Sequence, residues 1–156
     1  MQVLRGPARH IVEFGTSAGY STIHLAHAAQ HNGGCVYTLD REEQKTIWAR
    51  ENLRRCDLEE QVEFFTGDIA DFIVQLPPKI DFAFFDFGVP SFAHHWPSIR
   101  ERLVPQAFLF VDGWDQIERW NSESEWREFK EMLEADSDFV TALLPLEKGH
   151  LTAVRL

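Results

Sequence analysis

The chain has 156 residues, 44% of them hydrophobic and 26% charged, which suits one globular domain with a sizeable core. Its formal net charge of −10 argues against a nucleic acid or an anionic membrane as partner, because both recruit clustered Lys and Arg. No apolar run approaches the roughly 20 residues of a membrane span. No secretion signal is read ahead of the first strand, and Cys35 and Cys56 show neither a disulfide framework nor metal-ligand spacing, so a cytoplasmic location is expected.

The first predicted unit is a strand, a tight turn and a helix. His10-Ile11-Val12-Glu13-Phe14 is a short apolar run, Gly15-Thr16-Ser17-Ala18-Gly19 breaks it, and Ile23, Leu25, Ala26 and Ala29 then take up helical spacing. Such a unit opens many nucleotide-binding α/β domains, where free N–H groups at the helix start receive a polar ligand. A dinucleotide fingerprint would need glycine at 15, 17 and 20, but Ser17 and Tyr20 stand at two of those positions, which disfavours a nicotinamide oxidoreductase. His31-Asn32-Gly33-Gly34 is a turn cluster, and Cys35 to Asp40 reads as a second strand ending in a carboxylate. Asp40 lies close to the offset of about 20 residues at which an acidic group meets a ribose diol, the favoured role, although it could also cap the next helix. That helix spans Glu42 to Cys56, with Ile47, Trp48, Ala49 and Leu53 as its apolar positions.

Val62 to Thr66 is a third strand running into Gly67-Asp68-Ile69, and a helix from Ile69 to Gln75 ends at Pro77-Pro78. Ile80 to Asp86 is a fourth, strongly apolar strand. Asp86 stands at its carboxyl end, where open α/β sheets place their chemistry. A helix over roughly Phe92 to Leu103, a fifth strand from Ala107 to Asp112 and a helix from about Ser122 to Ala135 follow. Trp126, Phe129 and Leu133 make a core-facing stripe on the last of these. The chain closes on two strands, Phe139 to Leu144 and Leu151 to Leu156, joined through Pro145 to His150.

The nine residues Glu13-Phe14-Gly15-Thr16-Ser17-Ala18-Gly19-Tyr20-Ser21 closely resemble the first motif of class I S-adenosylmethionine-dependent methyltransferases, in the form found among the small-molecule O-methyltransferases related to catechol O-methyltransferase. The closing segment from Leu144 to Thr152 resembles that family's final hairpin. The resemblance implies a Rossmann-like, doubly wound α/β fold, with a mostly parallel seven-stranded sheet whose last strand is antiparallel. It implies one domain over residues 1–156, lacking the N-terminal helical cover usual in the family. It also implies S-adenosylmethionine as cofactor, held by Glu13, Gly15, Thr16, Ser17, Gly19, Asp40, Arg41, Asp68, Ile69 and Asp86. Asp40 would take the ribose and Asp68 the adenine amino group, although Asp68 could instead cap the helix that follows it.

In the catechol branch a magnesium-like ion is held by an Asp after strand four and an Asp-Asn pair after strand five, with a nearby Lys as base. Asp86 and Asp112 stand at the two Asp positions, but Gly113 replaces the Asn and Val89 the Lys. Two carboxylates leave most of an octahedral shell to water, so a divalent metal is disfavoured, with or without Asp115, and no metal ligands are assigned. Asp86, His94 and His95 are the candidate catalytic residues, an imidazole being suited to take a hydroxyl proton near neutral pH. Trp114 could wall an acceptor or cover the core edge. The reading is O-methylation of a small hydroxylated molecule, the alternative a degenerate methyltransferase-fold binding module acting through protein contacts. The exposed front of the sheet is compatible with a homodimer.

Overall fold

The computed structural model describes residues 8–86, 92–113, 123–145 and 149–156. Strands β1 (His10–Phe14), β2 (Cys35–Asp40), β3 (Val62–Thr66), β4 (Ile80–Phe85), β5 (Leu103–Val111), β6 (Phe139–Leu144) and β7 (His150–Arg155) form one sheet in the order β3-β2-β1-β4-β5-β7-β6. The first five pair in parallel, and β7 runs antiparallel to both β5 and β6. Helices α1 (Tyr20–Asn32), α2 (Glu43–Arg55), α3 (Ile69–Gln75), α4 (Phe92–Arg100) and α5 (Glu123–Ala135) complete the doubly wound plan expected from the sequence.

Strand β1 lies at the centre and is buried on both faces, which is why it reads as an apolar run. Side chains alternate across a strand, so Ile11 joins Leu25, Ala26 and Ala29 of α1 and Leu53 of α2 on one face. Val12 and Phe14 turn to the other face, with Phe72 of α3, Trp96 of α4 and Phe129 and Leu133 of α5. Phe14 stacks on Phe85 of β4 with centroids 5.0 Å apart and meets Phe72 edge-on at 5.6 Å. Period 2 puts Glu13 on the face of Ile11, where it is fully buried. A carboxyl at that depth costs stability unless it serves a purpose.

Three details depart from the sequence reading. In α2 the buried positions are Thr46, Ala49 and Leu53, while Ile47 and Trp48 are half exposed at 50% and 51%. Of the four apolar positions read from the sequence, only 49 and 53, four apart on one face, turn inward, while 47 and 48 project around the helix toward solvent. Strand β5 starts at Leu103 rather than Ala107, because Gln106 takes a left-handed φ of 69° beside Pro105 and the β4–β5 register shifts between Ile80 and Phe82. This is bulge geometry, which lets a strand continue through a proline. His150, read as part of the hairpin connection, is the first residue of β7.

At the edge of the sheet away from the candidate site, Arg100 at the end of α4 donates to Asp136 at 3.0 Å and to Asp138 at 2.6 Å. This latches α4 to the turn before β6. The Asp136 carboxyl is held below the usual carboxylate range by the Arg100 guanidinium.

Candidate functional site

Strand order reverses between β1 and β4, and the carboxyl ends of β1, β2, β3, β4 and β5 lie on one side of the sheet. A crevice of this kind is the usual ligand position in open α/β sheets.

The turn after β1 is held by backbone bonds: Gly15 and Thr16 N–H donate to the Leu39 carbonyl at 3.0 and 3.1 Å, and Gly19 N–H to Thr16 at 2.9 Å. Gly15 has a φ of 110°, and a Cβ there would lie 2.1 Å from the Asp86 carbonyl oxygen, so only glycine lets the turn seat against the end of β4. Gly19 has a different reason to be glycine. Its φ is 86°, and a Cβ would meet Ala49 at 3.0 Å and Leu53 at 3.1 Å on α2. The second glycine therefore serves helix packing, beside the cofactor contact that the resemblance implies for it.

Asp40 ties two loops together. Its Oδ2 accepts from Ser17 N–H at 2.7 Å and its Oδ1 from Glu42 N–H at 3.0 Å. Glu42, not Asp40, is the residue at the N-cap of α2. Each carboxylate oxygen keeps further acceptor capacity, which a diol could use. Asp68 does cap α3, accepting from Ala70 N–H at 2.9 Å, with Arg41 4.0 Å away across the gap. Ile69 has its side chain in the core at 2% exposure, so only its backbone faces the loop.

Beneath the turn lies a chain of hydroxyls ending on Glu13. Thr22 of α1 and Thr38 of β2 each donate to Glu13 Oε2 at 2.6 Å. Thr38 spends its one hydrogen there, so Thr16, 2.6 Å from Thr38, donates to it. Glu13 Oε1 is buried without a hydrogen-bond partner. Burial pushes the carboxyl up to about 7, against the lowering effect of the Ser21, Thr22 and Thr38 hydroxyls, and the Asp86 charge raises it a little further. Thr16 and Glu13 thus lie directly beneath the turn and support it from below.

Asp86 and Asp112 are set side by side: Asp86 N–H donates to Phe14 at 3.0 Å and Asp112 N–H to Phe85 at 2.8 Å. Asp86 is exposed. His94 and His95 lie near the start of α4, the first exposed and the second half-buried, their rings 5.1 Å apart and nearly perpendicular. One residue escaped the sequence reading. His150 Nδ1 lies 2.7 Å from Asp112 Oδ1, an ion-pair contact when the ring is protonated, and the ring rests against Phe110 at 5.3 Å. Antiparallel pairing of Val111 with Leu151 brings it there. Val89, Trp114 and Asp115 lie outside the described residues, as does the Trp126 side chain.

The residues fit the adenosyl cofactor that the resemblance implies. For an adenosyl cofactor there is a turn packed to backbone contact, an Asp40 carboxylate with spare acceptor capacity and an orphaned buried oxygen on Glu13 beneath. For a divalent ion, no group of three or more His, Cys, Asp or Glu residues among the described residues has the arrangement to hold one. No helix among them is long and apolar enough to cross a membrane.

Comparison with known proteins agrees with this geometry. A catechol O-methyltransferase from Niastella koreensis is 34% identical over 110 residues, covering 68% of this chain and 49% of that protein. The chain thus spans about half the length of this curated relative. The O-methyltransferase from Bacillus cereus, solved in complex with SAH, superposes with a TM-score of 0.85 at 26% identity, covering 99% of this chain and 77% of that one. The O-methyltransferase TomG from Streptomyces achromogenes, solved with SAM, has a TM-score of 0.86 at 23% identity, covers 99% and 76%, and shares the fold. The model of a methyltransferase domain matches residues 12–114, from the middle of β1 to just past β5, and the chain belongs to that family.

Proposed function

We propose that this chain carries out S-adenosylmethionine-dependent O-methylation of a small hydroxylated molecule. The observation that carries the reading is the turn after β1: Gly15 seats against the Asp86 carbonyl, and Ser17 N–H rests on the Asp40 carboxylate at the point where strand order reverses. Asp40 would take the ribose hydroxyls, and Asp68, Arg41 and the Ile69 backbone would border the adenine. Gly15, Thr16, Ser17 and Gly19 would shape the turn, with Glu13 acting from beneath. Asp86 stands between cofactor and acceptor.

When bound, S-adenosylmethionine supplies an electrophilic methyl group. The protein's part is to hold the acceptor oxygen in line with it and to take the hydroxyl proton. Imidazoles at this edge are the candidate bases: His94 and His95 on α4, and His150 beside Asp112. We assign no step to a metal, since Gly113 and Val89 replace the Asn and Lys that accompany the ion in resembling enzymes. Location in the cytoplasm belongs to the same reading, in line with free Cys35 and Cys56, as does the option of a homodimer.

The test is transfer from labelled S-adenosylmethionine to a panel of phenols, catechols and sugars, in chelator and then with magnesium. Transfer to a phenol in chelator is the expected result. Cofactor binding without transfer to any acceptor would favour the degenerate binding module. Activity lost in chelator and restored by magnesium would return Asp86 and Asp112 to a metal site.

A further inference from the structure

Glu13 is the odd residue of the core. It is the fourth residue of the central strand, fully buried, and one of its oxygens has no hydrogen-bond partner. Nothing about β1 pairing requires a carboxyl there, because its cross-strand neighbours are Thr38 on β2 and Phe84 on β4. The surrounding groups are arranged around a negative charge without neutralising it. Helix α1 presents Ser21 and Thr22, β2 presents Thr38, and past the end of β4 the Asp86 carboxylate bears on it unfavourably. None of the largest influences on it is a cation, which leaves the charge to be met by something that enters the crevice.

The two forms of the proposed cofactor differ in one feature that such a group would feel. The methyl donor carries a sulfonium charge, and the demethylated product has a neutral sulfur. We propose, resting on the methyltransferase reading above, that Glu13 is a specificity-determining residue whose carboxyl gives its proton to solvent when the sulfonium form binds and keeps it when the neutral product binds. The hydroxyl chain from Thr16 through Thr38 couples the carboxyl to the turn that would carry the ligand. Near neutral pH the carboxyl is poised between its two states, so little is needed to tip it. The consequence is product release: after transfer the positive charge is gone, the carboxyl takes a proton back, and the product is held less tightly than the donor.

The experiment is calorimetric titration of the full chain with S-adenosylmethionine and with S-adenosylhomocysteine, in two buffers of different ionisation enthalpy, between pH 6 and 8. Net proton release is expected with the donor near pH 7 and markedly less with the product. The donor-to-product affinity ratio should rise with pH by at most about tenfold per unit, the limit for one linked proton. Glu13→Gln should erase the difference that Glu13 contributes and leave only the titration of the ligands' own amino groups. Should Glu13→Gln fail to fold, Thr38→Val removes one donor to the carboxylate and should move the release profile to higher pH. Equal release for both ligands, or an unchanged difference in Glu13→Gln, would overturn this inference and leave the methyltransferase reading standing. If neither ligand binds the wild-type chain, both fall together.

Discussion

His150 and Asp112 meet across the β5–β7 pair, Nδ1 to Oδ1 at 2.7 Å, at the edge of the sheet where Asp86 also lies. The contact is an ion-pair approach when the ring is protonated and not a hydrogen bond, since Nδ1 has no hydrogen-bond partner, and an imidazole beside a carboxylate is a group suited to proton transfer. If this pair supplies the base, His150→Ala should lower the rate of transfer by roughly 10²–10⁴-fold, the usual contribution of a positioned base, with S-adenosylhomocysteine affinity little changed. His94→Ala and His95→Ala should then have smaller effects. A His150→Ala enzyme of normal rate would move the base to α4.

Gly19 makes a prediction about stability rather than binding alone. A side chain there is strained by the φ of 86° and collides with Ala49 and Leu53. Gly19→Val should therefore cost about 2–4 kcal/mol of folding stability, combining backbone strain and overpacking, and should loosen α1 against α2. Chemical denaturation checks it. A variant of wild-type stability that merely fails to bind cofactor would contradict the packing account of Gly19.

Glu13 should make the fold less stable as pH rises. Its folded value of about 7 stands above the ordinary 4.5, so between these values the folded chain binds more protons than the unfolded one. Stability from this group is then fully present below about pH 4.5, falls through the window up to pH 7 and levels off beyond it. The total is on the order of 3 kcal/mol at 1.36 kcal/mol per unit. Thermal unfolding at pH 5 and pH 8 should show a decline attributable to Glu13 that is absent in Glu13→Gln. A Glu13→Gln variant with the wild-type pH profile would contradict it.

Local pattern made most of the fold legible. Apolar runs gave the strands, since a parallel strand buried on both faces carries its signal in consecutive residues. The Gly15 turn was readable because glycine spacing is local. What the sequence hid was long-range. Gly19 packs on α2, some 30 residues away, and His150 reaches Asp112 only through antiparallel pairing across the last hairpin. The burial of Thr46 in place of Ile47 and Trp48 depends on how α2 is rotated against the sheet, which a mixed stripe of apolar residues does not fix. The hydroxyl chain on Glu13 joins residues 13, 22 and 38 of β1, α1 and β2 with residue 16 of the turn between the first two.

The central claim, that the carboxyl edge around β1 and β2 holds S-adenosylmethionine through Asp40, is tested most directly by calorimetric titration with S-adenosylhomocysteine of the wild-type chain and of Asp40→Ala. The expected result is saturable one-to-one binding to the wild type, weakened in the variant by about 1.5–3 kcal/mol, the range for hydrogen bonds to a charged group. Equal affinity of the two proteins, with Asp40→Ala folded, would remove Asp40 from the site, and no binding to the wild type would contradict the assignment of this edge as a cofactor site.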